Sequence, residues 1–253
     1  MNNQVFLIKF IDKEYLKSFL DGEIYFPLLK TFWDIEIKEE DKIRGDIYEG
    51  YFSKLLPKGT KVSIKQEEND EWFDFPITDI VQTKLKGEYG YLPIACFSLI
   101  KVEELFLPIK NNKVIINPNI IEELKKIKGK REMVIISKEA FLKKIKNQSE
   151  IDGLKNVSKR VDYYNHLKDS NIKEEEFEKG SLEVVFSKRL EYEYQREFRL
   201  LYDNKIYTEN QVLKIGDIRD ITISLENIPL NKMKLEYITE DKIGNPKIFH
   251  LKR

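Results

Sequence analysis

The stretch FSKRLEYEYQREFRLLY, residues 186–202, decides how the rest of the chain is interpreted. Alternate side chains of a β-strand point to opposite faces, and at this period the stretch separates into two unlike faces. One face is apolar apart from one arginine: Tyr192, Tyr194, Arg196, Phe198, Leu200 and Tyr202. The other face carries Glu193, Gln195, Glu197 and Arg199. The alternation therefore predicts a strand with a row of hydrogen-bonding groups about 20 Å long, which is either the floor of a site or a solvated strand face.

The composition limits the class of protein. The chain has 253 residues, of which 41% are hydrophobic, enough to bury a sizeable core, and we predict a single domain over residues 1–253. Its 44 basic and 44 acidic side chains give a formal net charge of zero, so nucleic acid and anionic membranes are not indicated as partners. One cysteine, no signal-peptide pattern and no long apolar run lead us to expect a cytoplasmic protein, in the host cytoplasm of a bacterium.

Local patterns predict strands and helices in mixed order. Short apolar runs indicate strands at 5–10, 23–26, 91–100 and 133–137, and helical spacing indicates helices near 11–20, 120–130 and 137–148. A hairpin or meander is expected over 51–85, and a final hairpin bends at Gly244-Asn245-Pro246. Strands outnumber helices without strict alternation, so we predict an α+β fold with a mixed or largely antiparallel sheet and a few flanking helices.

Familiar catalytic and metal-binding motifs do not occur in the sequence. The two histidines, His166 and His250, have no second histidine or cysteine nearby, so the spacing of zinc ligands is missing and we assign no metal ligands. No glycine-rich loop of the P-loop or dinucleotide-binding type is present. Cys96 lies in an apolar run, where a cysteine is usually a small buried hydrophobic residue.

Two polar groups remain as candidate sites. The first is Arg44, Asp46 and Glu49 in the glycine-bounded loop, and the second is the polar row of 193–199. Alternating carboxylates and amides can orient a sugar hydroxyl and stabilise a developing oxocarbenium ion. Carboxylates can equally bind a divalent metal for phosphodiester hydrolysis. Each group also has a purely structural interpretation. The row 193–199 can be a solvated strand face, and the loop can be a turn in which Asp46 and Arg44 only fix the backbone.

Six short phrases follow one another in a fixed order within residues 5–221. They are LDGEIYF (20–26), GDIYEG (45–50), CFS (96–98), ISKEAF (136–141), YQREFR (194–199) and IGDIRDI (215–221). In this order they resemble a broad group of bacterial and phage proteins of unknown function. The resemblance implies a grouping and a bacterial or phage setting, and it leaves open whether the protein is an enzyme.

Lys9 on the first strand, Ser98 at the end of a later strand and Gln195-x-Glu197 beyond it follow the order of functional residues in ADP-ribosyltransferases, which this chain resembles more distantly. Lys9 stands where those proteins have Arg or His. The resemblance implies NAD as the cofactor, held by Lys9 and Ser98. It also implies that Gln195 selects the acceptor and that Glu197, with Glu193 and Arg199 beside it, stabilises the ribosyl cation.

Two other functions stay open at this point. The first is a non-enzymatic phage or anti-phage-defence protein that binds a host protein through an aromatic-rich surface. The second is a metal-dependent nuclease, which would need three of the carboxylates within reach of one metal ion.

Overall fold

The computed structural model describes residues 5–41, 43–65, 72–75, 80–109, 113–224, 234–237 and 249–252. The chain divides into two compact units, and each is described by itself. Unit 1 comprises residues 1–28, 92–160 and 194–253, and unit 2 comprises residues 29–91 and 161–193. The single domain over residues 1–253 stays a prediction.

Helices and strands alternate irregularly along the described residues. The helices are α1 (Leu16–Leu20), α2 (Lys30–Glu39), α3 (Val102–Leu105), α4 (Pro118–Lys128), α5 (Lys138–Asp152) and α6 (Glu174–Glu178). The strands are β1 (Val5–Ile11), β2 (Glu23–Phe26), β3 (Tyr51–Leu55), β4 (Val62–Lys65), β5 (Trp72–Phe75), β6 (Val81–Leu85), β7 (Ile94–Lys101), β8 (Phe106–Ile109), β9 (Lys113–Ile116), β10 (Glu132–Ser137), β11 (Val157–Arg160), β12 (Asp162–Tyr164), β13 (Ser187–Arg189), β14 (Glu197–Leu201), β15 (Gln211–Lys214), β16 (Thr222–Ser224), β17 (Lys234–Tyr237) and β18 (Phe249–Lys252).

A six-stranded sheet forms the centre of unit 1. Its strand order is β11-β14-β7-β1-β10-β16, and all neighbouring strands are antiparallel. The strand predicted at 91–100 corresponds to β7 (Ile94–Lys101), which lies in the interior of the sheet. Smaller antiparallel sheets pair β15 with β2 and order β18-β17-β9-β8. The predicted α+β class with a largely antiparallel sheet is confirmed.

Each face of this sheet is covered by apolar side chains. On one face the core includes Leu7, Phe97 and Phe198 together with Phe141 and Ile145 of α5. On the other face Ile8 and Ile100 of the sheet share a core with the buried residues of α4, which are Ile120, Ile121, Leu124 and Ile127. Full burial of such a side chain contributes about 1.5–3 kcal/mol, so the two faces together hold the sheet in place.

The start of α4 and a contact between two distant turns each depend on one particular residue type. The Asn117 side chain accepts a hydrogen bond from the Asn119 N–H at 3.1 Å and caps the first turn of α4. Gly22 has φ +89°, and a Cβ there would lie 1.9 Å from the carbonyl oxygen of Gly216. The turns of the LDG and IGD phrases therefore meet backbone to backbone, which no larger residue would allow.

Strands β1 and β7 diverge part of the way along the sheet. They pair only from Val5 opposite Lys101 to Ile8 opposite Ser98. Beyond this point β1 continues to Ile11 against β10, and β7 runs back to Ile94 against β14. We call the divergence after Ile8 and Ser98 the fork.

Unit 2 contains the antiparallel pairs β3–β6 and β4–β5 and the parallel pair β12–β13. Its core includes Phe52 and Phe177, whose rings stack with centroids 5.1 Å apart. The acidic run at 173–180 forms the short helix α6. Glu174 of this helix pairs with Lys54 at 2.5 Å and with Lys84 at 2.7 Å. The acidic run is thus an ion-paired surface helix anchored by one buried phenylalanine.

The predicted strand over residues 186–202 is wrong. Residues 187–189 form β13, residues 190–195 form a 3-10 helix, and only residues 197–201 form β14. Arg196, between the last two elements, has a left-handed φ of +49°. The alternation of 192–202 is misleading because the chain passes from unit 2 to unit 1 between Glu193 and Tyr194, so its two halves are buried against different neighbours.

The predicted terminal hairpin is represented by β17 and β18, which pair antiparallel from Lys234 opposite Lys252 to Tyr237 opposite Phe249. The predicted bend at Gly244-Asn245-Pro246 lies outside the described residues.

Candidate functional site

Five polar residues of unit 1 lie around the fork: Lys9, Cys96, Ser98, Glu197 and Arg199. We call them the fork cluster. Ser98 is the branch point, because it stands opposite Ile8 of β1 on one side and opposite Glu197 of β14 on the other. Arg199 stands opposite Cys96 in the same register. Three adjacent strands therefore bring together residues that are far apart in the sequence.

Glu197 and Arg199 form an ion pair within β14. Residues two apart on a strand share a face, and both Nε and Nη2 of Arg199 lie 2.7 Å from Oε2 of Glu197. The Arg199 side chain is 1% exposed and that of Glu197 is 11% exposed. Glu197 is thus the less enclosed member of the pair, although both residues are buried.

The backbone that leads into β14 is fixed to β7 by two hydrogen bonds. The Ser98 hydroxyl donates to the Gln195 carbonyl at 2.7 Å, and the Leu99 N–H donates to the Arg196 carbonyl at 2.8 Å. The left-handed Arg196 is held by its side chain, which donates to Glu104 at 2.7 Å. These contacts fix where Glu197 begins its strand.

Lys9 lies where β1 leaves β7. Its ammonium donates to the Cys96 carbonyl at 2.9 Å and lies 5.0 Å from the centroid of the Phe97 ring. Burial lowers the pKa of Lys9, and the charge of Arg131 acts in the same direction, whereas the charges of Cys96 and Glu197 oppose it. Lys9 as a whole residue is half-buried, but its ammonium is enclosed. Cys96 is also half-buried, so the expectation of a buried cysteine is wrong.

Unit 2 contains a second polar site, which the glycine-bounded loop builds together with β13. Gly45 packs so closely on α2 that a Cβ there would lie 2.4 Å from the Glu36 nitrogen, and this contact directs the following Asp46 inward. Asp46 and Glu49 are 1% and 2% exposed. We call Asp46, Glu49, Lys188, Arg189 and Tyr192 the charged cluster.

The charged cluster pairs each carboxylate with one cation. Arg189 Nη2 donates to Asp46 Oδ1 at 2.8 Å and to the Tyr192 hydroxyl at 3.1 Å. Lys188 Nζ lies 3.1 Å from Glu49 Oε1 and 4.7 Å from the centroid of the Tyr192 ring. Arg189 Nη1 also lies 3.1 Å from Oε1 of the exposed Glu191, so three carboxylates and two cations contact one another, and only the first two carboxylates are buried.

The electrostatics of this cluster favour protonation of Asp46. Burial and the neighbouring charge of Glu49 raise the pKa of Asp46 to about 6, although Lys188 and Arg189 act against the shift. Burial also raises the pKa of the Tyr192 hydroxyl, with the charge of Asp46 as the next cause. At neutral pH Asp46 is thus a carboxylate close to its point of protonation.

The structure separates several residues that the sequence grouped together. Arg44 does not join Asp46: it is partly exposed and pairs with Asp41 at 2.6 Å and with Glu39. Glu193 is exposed on the 3-10 helix, so it does not continue a row with Glu197. The Gln195 side chain is buried, and its amide lies 3.4 Å from the Tyr194 hydroxyl. The predicted polar row therefore reduces to Glu197 and Arg199.

Sequence reasoning missed Lys188, Arg189 and Tyr192. All three belong to the quoted stretch 186–202, where they were assigned to a strand. A signal was present, because adjacent lysine and arginine complement the two carboxylates of the GDIYEG loop. Asp46 and Arg189 are 143 residues apart, so nothing local in the sequence joins them.

Two further features were searched across the described ranges. No three side chains of His, Cys, Asp or Glu there are close enough to hold a metal ion, so these ranges offer no centre for the nuclease alternative. The longest helix described, α5, has 15 residues, and no helix in those ranges is both long and apolar enough to cross a membrane.

The chain matches no protein-family model, no curated protein and no solved structure.

Proposed function

We propose that the protein is an enzyme that uses NAD or a related nucleotide, in the manner of ADP-ribosyltransferases, and that the fork cluster is its site. The observation that supports this most is the register at the fork. Ser98 and Glu197 are cross-strand partners on one face of the sheet, and Lys9 lies on the neighbouring strand β1 with its ammonium beside Phe97 of the other face. A carboxylate and a hydroxyl on one face can hold a ribose, and a cation close by can meet the phosphates attached to it.

The roles follow from the chemistry of each group. Cleavage of the N-glycosidic bond develops positive charge on the ribose, and the Glu197 carboxylate stabilises it. Arg199 orients that carboxylate, because two of its nitrogens contact one oxygen. The Ser98 hydroxyl donates to the Gln195 carbonyl, so its lone pairs remain to accept a hydrogen bond from a ribose hydroxyl.

The test compares wild type with Glu197→Gln and with the control Glu193→Gln. Each protein is incubated with radiolabelled NAD and a bacterial lysate, which supplies water together with protein and nucleic-acid acceptors. We expect wild type and the exposed control to release nicotinamide alike, and Glu197→Gln to lose on the order of 10²–10³-fold. Equal rates in the two variants would contradict the proposal, as would the absence of release from wild type.

A second candidate is a protein that binds a host protein, in a phage or in anti-phage defence. It is favoured by the β4–β5 hairpin, on which Ile64 and Phe73 are cross-strand partners and both are exposed. Trp72 on the same hairpin is 64% exposed. Tryptophan is enriched among the residues that dominate binding energy at protein interfaces.

A pull-down with Trp72→Ala distinguishes specific binding through this hairpin from non-specific hydrophobic binding. We expect a specific partner to be captured by wild type and by the control Ile151→Ala, which changes another exposed apolar residue. Trp72→Ala should not capture it. Capture that is the same for all three proteins would count against the hairpin.

A further inference from the structure

Arg196, the residue before Glu197, has a backbone conformation that suits glycine better than arginine. Its φ of +49° is left-handed, and Arg196 and Glu40 are the two non-glycine residues with positive φ in the described part of the chain. This region is unfavourable for a residue with a Cβ, and glycine is the residue that adopts it most easily. Such strain persists where the surroundings hold it in place, and it concentrates at functional sites. We therefore ask what the Arg196 side chain contacts.

Two carboxylates on two helices of unit 1 hold this side chain. Arg196 Nη1 donates to Oε1 of Glu104 in α3 at 2.7 Å, and Nη2 donates to Oε2 of Glu123 in α4 at 3.2 Å. Glu104 is itself fixed, because its other oxygen accepts a hydrogen bond from the Lys101 N–H at 3.0 Å. All three paired side chains are partly exposed, and exposed ion pairs add little to stability. The two ion pairs therefore fix a conformation more than they stabilise the protein.

The main chain on both sides of the Arg196 side chain is bonded to β7. The Gln195 carbonyl accepts a hydrogen bond from the Ser98 hydroxyl at 2.7 Å, and the Arg196 carbonyl accepts one from the Leu99 N–H at 2.8 Å. Glu197, one residue further on, is the cross-strand partner of Ser98. The conformation of Arg196 thus determines where Glu197 enters β14 and in which direction its side chain leaves the strand.

We propose that Arg196 is the positioning residue of Glu197: its ion pairs with α3 and α4 hold the left-handed backbone that places the Glu197 carboxylate for the reaction. The inference rests on the proposed function and extends it to a residue that acts through Glu197 and not on the substrate. Glycine could adopt the same φ, but it also adopts many others, so the carboxylate would be placed less accurately. A misplacement of about 1 Å can cost on the order of a hundredfold in rate.

The test measures kcat and KM for nicotinamide release, with radiolabelled NAD and the same lysate, and the urea midpoint of unfolding. Arg196→Gly relieves the backbone strain and removes both ion pairs, so its urea midpoint should be unchanged or higher. We expect its kcat to fall about tenfold or more and its KM to stay within about twofold, because positioning acts on the transition state and not on the binding of NAD. A purely structural role would move the urea midpoint and leave kcat unchanged.

Glu40→Gly is the matched control, since Glu40 also has a left-handed φ, of +53°, at the end of α2 in unit 2. Glycine is favoured at this end of a helix, so the control should be slightly more stable than wild type. It should release nicotinamide at the wild-type rate. Arg196→Lys keeps a positive charge beside the two carboxylates, and we expect it to recover part of the kcat that Arg196→Gly loses.

A second route leaves Arg196 in place and removes its partners. The double variant Glu104→Gln with Glu123→Gln should lose kcat to a degree similar to Arg196→Gly. Adding Arg196→Gly to this double variant should lower kcat little further, because residues that act as one unit have non-additive effects. Full additivity of the losses would contradict the proposed action of Arg196 through these two carboxylates.

The remaining outcomes distinguish this inference from the proposed function. A wild-type kcat in Arg196→Gly overturns the positioning role and leaves the proposed function standing. A fall in kcat that is matched by a lower urea midpoint, or a change confined to KM, does the same. No release of nicotinamide from wild type overturns both.

Discussion

The fork cluster and the charged cluster each contain a glutamate, a lysine and an arginine, yet they differ in hydrogen bonding and in the exposure of their carboxylates. At the fork one carboxylate receives two donors from one guanidinium, and the residues Lys9 and Cys96 are only half-buried. In the charged cluster two carboxylates and two cations are all buried, and Asp46 Oδ2 and Arg189 Nε have no hydrogen-bond partner among the described residues. Removing a charge from water is costly unless every group is paired.

The difference shows that a carboxylate paired with a cation can have different roles in the same protein. Where the carboxylate keeps some exposure, as Glu197 does at 11%, it remains able to meet a ligand while its partner orients it. Where the carboxylate itself is enclosed, as that of Asp46 is at 1%, the pair mainly determines which conformation is stable and at which pH. Four measurements test this contrast between the two clusters.

The largest expected effect is that of Arg189→Met on stability. The substitution keeps much of the side-chain volume and leaves Asp46 buried without its guanidinium, so we expect the free energy of unfolding to fall by about 3–5 kcal/mol. Urea unfolding followed by fluorescence measures it. The control is Arg44→Met, which removes a partly exposed guanidinium that also contacts two carboxylates and should cost about 0–1 kcal/mol. Similar losses for both would remove the distinction between buried and exposed pairs.

The next effect is a pH dependence from Asp46. Its pKa is about 6 in the folded protein and 3.8 is the ordinary value, so the folded state holds the proton more strongly. The stabilising contribution is complete below about pH 4 and is lost as the pH rises through 6, on the order of 3 kcal/mol in all. The free energy of unfolding of wild type, minus that of Asp46→Asn, should therefore fall between pH 4 and pH 7. A difference that stays flat over this window would show that Asp46 titrates normally.

A smaller loss of stability is expected for Glu197→Gln. The amide oxygen can still accept a hydrogen bond from Arg199, so we expect a cost of about 1–3 kcal/mol. Thermal and urea unfolding of this variant also show whether its loss of nicotinamide release reflects chemistry or unfolding. A cost larger than that of Arg189→Met would reverse the order of the two clusters.

The smallest effect is expected for Ser98→Ala. The variant leaves the buried Gln195 carbonyl without its side-chain donor, which should cost about 1 kcal/mol. Ser18→Ala, at an exposed position in α1, serves as the control and should be neutral or slightly stabilising. If Ser98→Ala proved equally neutral, the hydroxyl would not hold the start of β14 in place.

The sequence was sufficient for elements whose pattern is local. The apolar run of β7, the helical spacing of Phe141 and Ile145, and the Asn117 cap each reflect the period of a single element, and each is found where the pattern indicates. The prediction of a strand over 186–202 was wrong because the apolar residues of that stretch belong to two different units, Tyr192 to unit 2 and Phe198 to unit 1. Period alone does not tell which neighbour buries a side chain.

The two candidate sites were predictable to different degrees. Asp46 and Glu49 stand out in the loop by their type and their glycine neighbours, but Lys188 and Arg189 are joined to them only by the folded chain. The fork could not be predicted, since it depends on where the register of β1 with β7 ends. Lys9, Ser98 and Glu197 were named from a resemblance in order, and their common branch point came from strand pairing.

The division of the chain has a consequence for its synthesis on the ribosome. The six-stranded sheet of unit 1 cannot be completed until β14 has been synthesised, because β7 and β11 both pair with it. β14 begins only at residue 197. Both segments of unit 2 end by residue 193 and have therefore been translated before that moment. Long-range pairing of this kind is slow, because the chain must close large loops first. A nascent chain thus carries one edge of the apolar strand β7 unpaired until β14 emerges, so this interval is when aggregation competes most strongly with folding.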